Sequence, residues 1–189
     1  MKLNDPFTKE ELKASVYLMK QNLANVFEKI DEKTFFQAPN QGWSPAENVQ
    51  HINRVTKLLT LTYSTPKFIA SFIFGEGDKS SRRMQSVGDV YLEALSKGQN
   101  SGPFTPSKER VDGNTTNRKT ELLLEWNQAW DKYALALENW SEEQLDKIRM
   151  PHPFLGKITA REMYMVGMLH PIHHCNIVSR RLNQEWSYF

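Results

Sequence analysis

The residues best suited to chemistry in this 189-residue chain are its five histidines, and they are unevenly spaced. Three lie in His170-Pro-Ile-His173-His174, a fourth is His51, and the fifth is His152 in a proline-flanked stretch. Histidines at i and i+4 of a helix present both imidazoles on one face about one turn apart, which suits two ligands of one metal ion. At about 100° per residue, Met163, Val166, Gly167, His170, His174, Ile177 and Val178 gather on one face, with His170 and His174 astride its centre. His173 lies off to the side. On an earlier helix Glu47, His51, Val55, Leu58 and Thr62 share a face, so His51 can also project inward. Three neutral imidazoles with a fourth position open to water describe a catalytic zinc site, and imidazole suits nickel or iron too. The competing reading is a set of hydrogen-bonded core histidines, because buried imidazoles need partners of some kind. Spacing alone leaves the two readings level.

The elements that must position these residues are helices. Alternation of period two is scarce, while apolar residues recur at helical spacing. Thr8…Glu11, Ser44…Glu47, Ser141…Gln144 and Thr159…Glu162 each place a hydroxyl three residues before Glu or Gln, the capping-box pattern that satisfies backbone N–H groups at a helix start. The spacing predicts a first helix over 8–32 and a second over 44–63 that stops before Pro66. A third is expected over 117–140, with Trp126, Trp130, Tyr133 and Leu137 on one face, and a last over 159–183. A short turn at 141–145 and a loop over 150–156 join the last two. Four long helices suggest a bundle. The stretch 66–116 is too long for a bare loop; Phe68–Phe74 and Val87–Leu95 read as short helices within it. Pro171, inside the last helix, removes the bond to the Gly167 carbonyl and predicts a kink beside His170.

Composition excludes several classes. With 39% hydrophobic and 24% charged residues, the chain is neither a disordered tail nor a membrane protein, and no apolar run approaches the roughly 20 residues a bilayer span needs. One cysteine, Cys175, excludes an intramolecular disulfide, and the polar N-terminus lacks a secretory signal, so a cytoplasmic protein is expected. A net charge of +2 without a basic stripe gives nucleic acid no support; Lys79, Arg82 and Arg83, or Arg180 and Arg181, are ordinary surface clusters. Cys175 points about 100° away from its neighbour His174 and reads as a buried thiol rather than a ligand. Glu47 reads as the capping partner of Ser44 in preference to an acceptor that orients His51. Trp126, Trp130 and Trp140 read as core or dimer contacts, and Trp186, Tyr188 and Phe189 as an apolar tail packing on the bundle or a partner.

Two motifs carry a resemblance. Trp43-Ser-Pro-Ala-Glu47-Asn-Val-Gln-His51-Ile resembles the second-helix motif of the DinB/YfiT-like family of metal-dependent four-helix proteins. Gly156-Lys-Ile-Thr159-Ala-Arg-Glu162, followed by His170-x-x-His173-His174, is similar to that family's last-helix motif. The order and spacing agree from the first helix to about Arg181. The resemblance implies one all-α domain over 1–189, an up-down-down-up four-helix bundle with a long helical and loop insertion between helices 2 and 3. It also implies a divalent metal held by His51, His170 and His174, the three that the helical wheels turn inward; zinc is the expected ion, with nickel or iron also compatible. Family members include thiol S-transferases acting with low-molecular-weight thiols, and related isomerases and hydrolases, and homodimers are common among them. The expected function is therefore a metal-dependent transferase or hydrolase that activates a thiol or water for a small-molecule substrate. The alternative is a non-catalytic bundle that binds a metal or small ligand.

Overall fold

A computed structural model describes residues 5–38, 42–97, 104–109 and 115–183, so the tail aromatics Trp186, Tyr188 and Phe189 lie outside the described residues. The described residues are mostly helical. In chain order they form α1 (Lys9–Glu28), α2 (Glu32–Phe36), α3 (Pro45–Ser64), α4 (Lys67–Phe74), α5 (Met84–Ser96), α6 (Thr115–Leu135) and α7 (Glu142–Lys147). A hairpin of β1 (Arg149–His152) and β2 (Gly156–Thr159) then leads into α8 (Ala160–Arg181). All four capping boxes form, at Thr8, Ser44, Ser141 and Thr159, so the hydroxyl-x-x-acid pattern placed these starts correctly. Thr65 is extended ahead of Pro66, which ends α3 where proline crowding requires.

Three expectations need correction. The first helix does not continue to residue 32: Asp31 takes an extended backbone and its side chain accepts from Thr34 N at 3.0 Å, which starts α2 as a separate helix. α6 ends at Leu135, and the next residues continue only as turns towards Trp140. The stretch expected as a loop is largely a hairpin, with Arg149 opposite Thr159 and His152 opposite Gly156. Gly156 closes its three-residue loop at φ +67°, a backbone region that glycine enters without penalty.

Helices α1, α6, α3 and α8 pack on one another in that cyclic order. Lys13 meets Glu138 at 2.5 Å and Lys20 meets Asp131 at 2.6 Å, so α1 and α6 run antiparallel. Asn53 donates to Leu122 O at 3.0 Å and Lys57 meets Glu125 at 2.7 Å, so α3 and α6 run parallel. Tyr63 Oη donates to Ala160 O at 2.5 Å near one end of α3, while His51 faces His170 near the other, so α3 and α8 run antiparallel. The core between them is aromatic. Trp126, Trp130, Tyr133 and Trp140 are fully buried beside Tyr63 and Tyr164, with Tyr133 and Tyr164 stacked at 4.3 Å between ring centroids. The tryptophans of α6 are thus core residues of this chain.

The wheel for α8 describes only part of its environment. Nearly the whole circumference from Ala160 to Met168 is buried, because α1, α3, α5, α7 and the hairpin all pack against this helix. The wheel for α3 is also displaced: Leu58 is 44% exposed, and the core face runs through Val49, Ile52, Thr56 and Tyr63. His51 sits at the edge of that face, towards α8. At the start of α8, Arg161 is buried and bound to Asp146 at 2.7 and 2.9 Å and to Phe7 O at 2.7 Å. Beside it Arg82 holds Glu162, tying the chain ahead of α5 to the first turn of α8. Among the described residues, no helix is long and apolar enough to cross a membrane.

Candidate metal centre

The structure brings His51, His170 and His174 together. His51 Nε2 lies 3.0 Å from His170 Nε2, and His174 Nε2 lies 3.1 Å from the same atom. One ligating atom from each of the three falls within 4.8 Å of the others. α3 supplies the first two turns after its proline-led start, and α8 supplies the i, i+4 pair; their antiparallel packing sets one against the other. His51 and His174 are buried, and His170 is partly so. α8 continues unbroken through Pro171, with His170 kept in the cluster.

Hydrogen bonds on the far side of two rings set their tautomers. His51 Nδ1 lies 2.7 Å from Phe104 O, a group that can only accept, so Nδ1 carries the proton. His174 Nδ1 lies 2.8 Å from Asn48 Oδ1. The Asn48 amide is itself oriented: its Nδ2 donates to Ser44 O at 2.9 Å and Trp43 O at 3.3 Å, leaving Oδ1 as acceptor for His174. Both imidazoles therefore aim an Nε2 lone pair at His170 Nε2. A single N–H on that atom can satisfy one of them, and the other stays without a donor. A cation satisfies all three at once. Tetrahedral coordination at 2.0–2.1 Å places nitrogen ligands about 3.3 Å apart, close to the separations seen here. The residues present fit a divalent metal.

The electrostatics agree with ligation by neutral imidazole. Burial is the main cause that depresses proton affinity at His51, and at His170 and His174 the neighbouring imidazoles add to it. Trp43 closes one side, its ring parallel to His174 at 4° and 4.9 Å from His51 between centroids. The cluster opens into a cavity of about 300 Å³ whose walls include Trp43, Tyr91, Leu95 and Phe154. Among the described residues, no cysteine or carboxylate joins the three histidines. Cys175 is buried, and burial raises its thiol pKa.

The remaining sequence candidates take other places. His173 is half-buried and lines the cavity outside the triad, at 6.5 Å from Tyr91 between ring centroids. His152 belongs to the hairpin, where its Nδ1 accepts from Phe154 N and Leu155 N, each at 3.2 Å, and burial pushes its pKa down to about 4. Glu47 completes the capping box, accepting from Ser44 N at 2.8 Å. The groups that orient the imidazoles are Asn48 and the Phe104 carbonyl, and sequence reasoning named neither. Asn48 is one turn before His51, a position where an amide carries no distinguishing signal. The carbonyl of Phe104 has none at all, because every residue has one.

A family model described as the DinB superfamily matches residues 16–178. No curated protein and no solved structure matches the chain.

Proposed function

This chain belongs to the DinB superfamily, and from that membership we propose a metal-dependent enzyme whose divalent ion is held by His51, His170 and His174. The observation that carries the reading is the convergence of two fixed Nε2 lone pairs on a third histidine nitrogen, beside an open cavity. A divalent ion so held supplies Lewis acidity, lowering the pKa of a water or thiol in the remaining position. Zinc is the ion we favour, with nickel or iron compatible with the same donors. The chain's own groups do the rest. Asn48 and the Phe104 carbonyl keep the Nδ1 protons in place, so that the Nε2 atoms stay unprotonated. Trp43, Leu95 and Phe154 shed water from around a bound substrate.

The reaction we infer is transfer of a small thiol to an electrophile, with hydrolysis as the neighbouring chemistry of the same centre. We read residues 1–189 as one cytoplasmic domain. It is an up-down-down-up four-helix bundle of α1, α3, α6 and α8, with the stretch from Pro66 to the start of α6 inserted between its second and third helices. The helix directions given above support that topology. We also read the chain as a homodimer, since Leu61 on α3 and Phe68, Phe72 and Ile73 on α4 are each exposed large apolar side chains; sedimentation of the purified protein tests it, and a monomer refutes it.

Elemental analysis of purified, untagged protein is the decisive test. About one equivalent of a divalent metal is expected, lost in His51→Ala, His170→Ala and His174→Ala and kept in His152→Ala and His173→Ala. Metal retained in any of the first three overturns the assignment. With the metal established, screens of small thiols against electrophiles, and of hydrolysable esters and amides, decide between transfer and hydrolysis.

A further inference from the structure

We propose that the substrate of this centre carries a carboxylate, and that Arg181 at the mouth of the cavity binds it. The inference rests on the metal reading above and specifies the chemistry of its ligand. His170, His174, Ile177 and Arg181 all line the cavity, and they follow one another on α8 at i, i+4, i+7 and i+11, a single stripe from the triad to the mouth. At about 1.5 Å of rise per residue, Arg181 stands about 10 Å along the helix from His174.

The guanidinium is held in place. Its Nη1 donates to Trp43 O at 3.3 Å, and the backbone of Gly42 lies so close that a Cβ there would meet both Nη atoms at 2.6 Å. Gly42 holds φ +125°, a conformation that side-chain-bearing residues rarely adopt, and this brings the loop backbone against the arginine. Among the described residues, the Arg181 guanidinium has the Trp43 carbonyl as a polar partner, and no acidic residue lines the cavity.

Charge balance then selects the ligand. Three neutral imidazoles leave a divalent ion uncompensated, and Arg181 adds a further positive charge beside walls that are largely apolar. A substrate with a deprotonatable donor at one end and a carboxylate at the other matches both positive centres. The planar fork of arginine suits a carboxylate in particular. Trp43, Leu95, Phe154 and Ile177 supply apolar wall between the two ends.

The test uses protein loaded with cobalt(II), titrated with 6-mercaptohexanoate and with its uncharged isostere 6-mercaptohexanamide, following the thiolate-to-cobalt charge-transfer absorption. The chain between sulfur and carboxylate is too long to favour chelation of the same ion. The acid is expected to bind about tenfold more tightly than the amide. Arg181→Met should erase that preference while leaving cobalt content and amide affinity unchanged, and Arg181→Lys should keep part of it. Equal affinity for acid and amide in the unmodified protein, or a preference that survives Arg181→Met, overturns the proposal and leaves the metal reading standing. A chain that takes up no cobalt defeats the metal reading first, and this proposal with it.

Discussion

Replacing Asn48 with leucine keeps the branched outline of the side chain while removing the acceptor that faces His174 Nδ1 at 2.8 Å. Two separable effects follow. In the metal-free protein a buried N–H is left without a partner, which costs about 1–3 kcal/mol of folding free energy. In the loaded protein the His174 ring loses the bond that fixes its tautomer and orientation. Partners of this kind are worth about 10- to 100-fold in metal affinity, or about 1.4–2.8 kcal/mol. The loss of the Asn48 amide donors adds little, because both carbonyls keep another partner. Ser44 O accepts from Asn48 N at 3.0 Å, and Trp43 O accepts from Arg181 at 3.3 Å. Asn48→Asp preserves an acceptor for His174 but sets its second oxygen against the Ser44 and Trp43 carbonyls, so it should cost folding stability while holding zinc more tightly than Asn48→Leu. Competition against a chelator of known affinity reads the metal effect, and urea unfolding of the metal-free variants reads the folding effect. Unchanged zinc affinity in Asn48→Leu, or an equal loss in Asn48→Asp, would show that Asn48 does not position the ligand.

Three further perturbations probe the frame around the site. Gly167→Ala places a methyl 2.9 Å from Tyr133 Cζ and 3.0 Å from Leu59 Cδ1, so it should cost about 1–3 kcal/mol by overpacking and lower the thermal midpoint; an unchanged midpoint contradicts that close approach. Arg161→Met strips Asp146 of its buried partner and should destabilise the protein by about 3 kcal/mol in urea, whereas a neutral effect would mean that the pair is dispensable. The metal-free protein should lose stability as pH falls from about 6.5 towards about 4. The folded chain holds its histidines below the ordinary 6.5, His152 at about 4, so in that window the unfolded chain binds more protons. Urea midpoints across that range test this, and a flat profile refutes it.

Local rules were legible in the sequence wherever one residue's own backbone was at stake. Each capping box marks a helix start because the bonds lie within three residues, and each forms. The break at Asp31 obeys the same logic, since Asp31 is itself a good cap, but the apolar residues Ile30, Phe35 and Phe36 continue a helical pattern across it and hide the interruption. The hairpin was hidden for a different reason. Pro151 and Pro153 discourage a strand assignment, yet proline is tolerated at the edge of a two-stranded sheet, and Gly156 provides the positive φ that closes the loop. The wheel for α8 located the histidines although it presumed one buried stripe, because a helix buried nearly all round has its strongest polar signal in whichever polar residues it buries.

The candidate site divides along the same line. His170 and His174 share a helix, so their common face follows from spacing, and the family resemblance adds His51. What spacing cannot supply is the reason those imidazoles present lone pairs instead of protons. That depends on Asn48 Oδ1 being turned towards α8 by bonds to Trp43 O and Ser44 O, and on the Phe104 carbonyl arriving from a segment more than fifty positions along the chain. The Trp-Ser pair that opens the α3 motif thereby acquires a physical role. Ser44 caps the helix and anchors the Asn48 amide, while Trp43 stacks on His174, anchors the same amide and receives Arg181. The start of α3 is thus built as a support for the ligands on α8. Substitutions at Trp43 or Asn48 should therefore weaken metal binding without removing a single ligand.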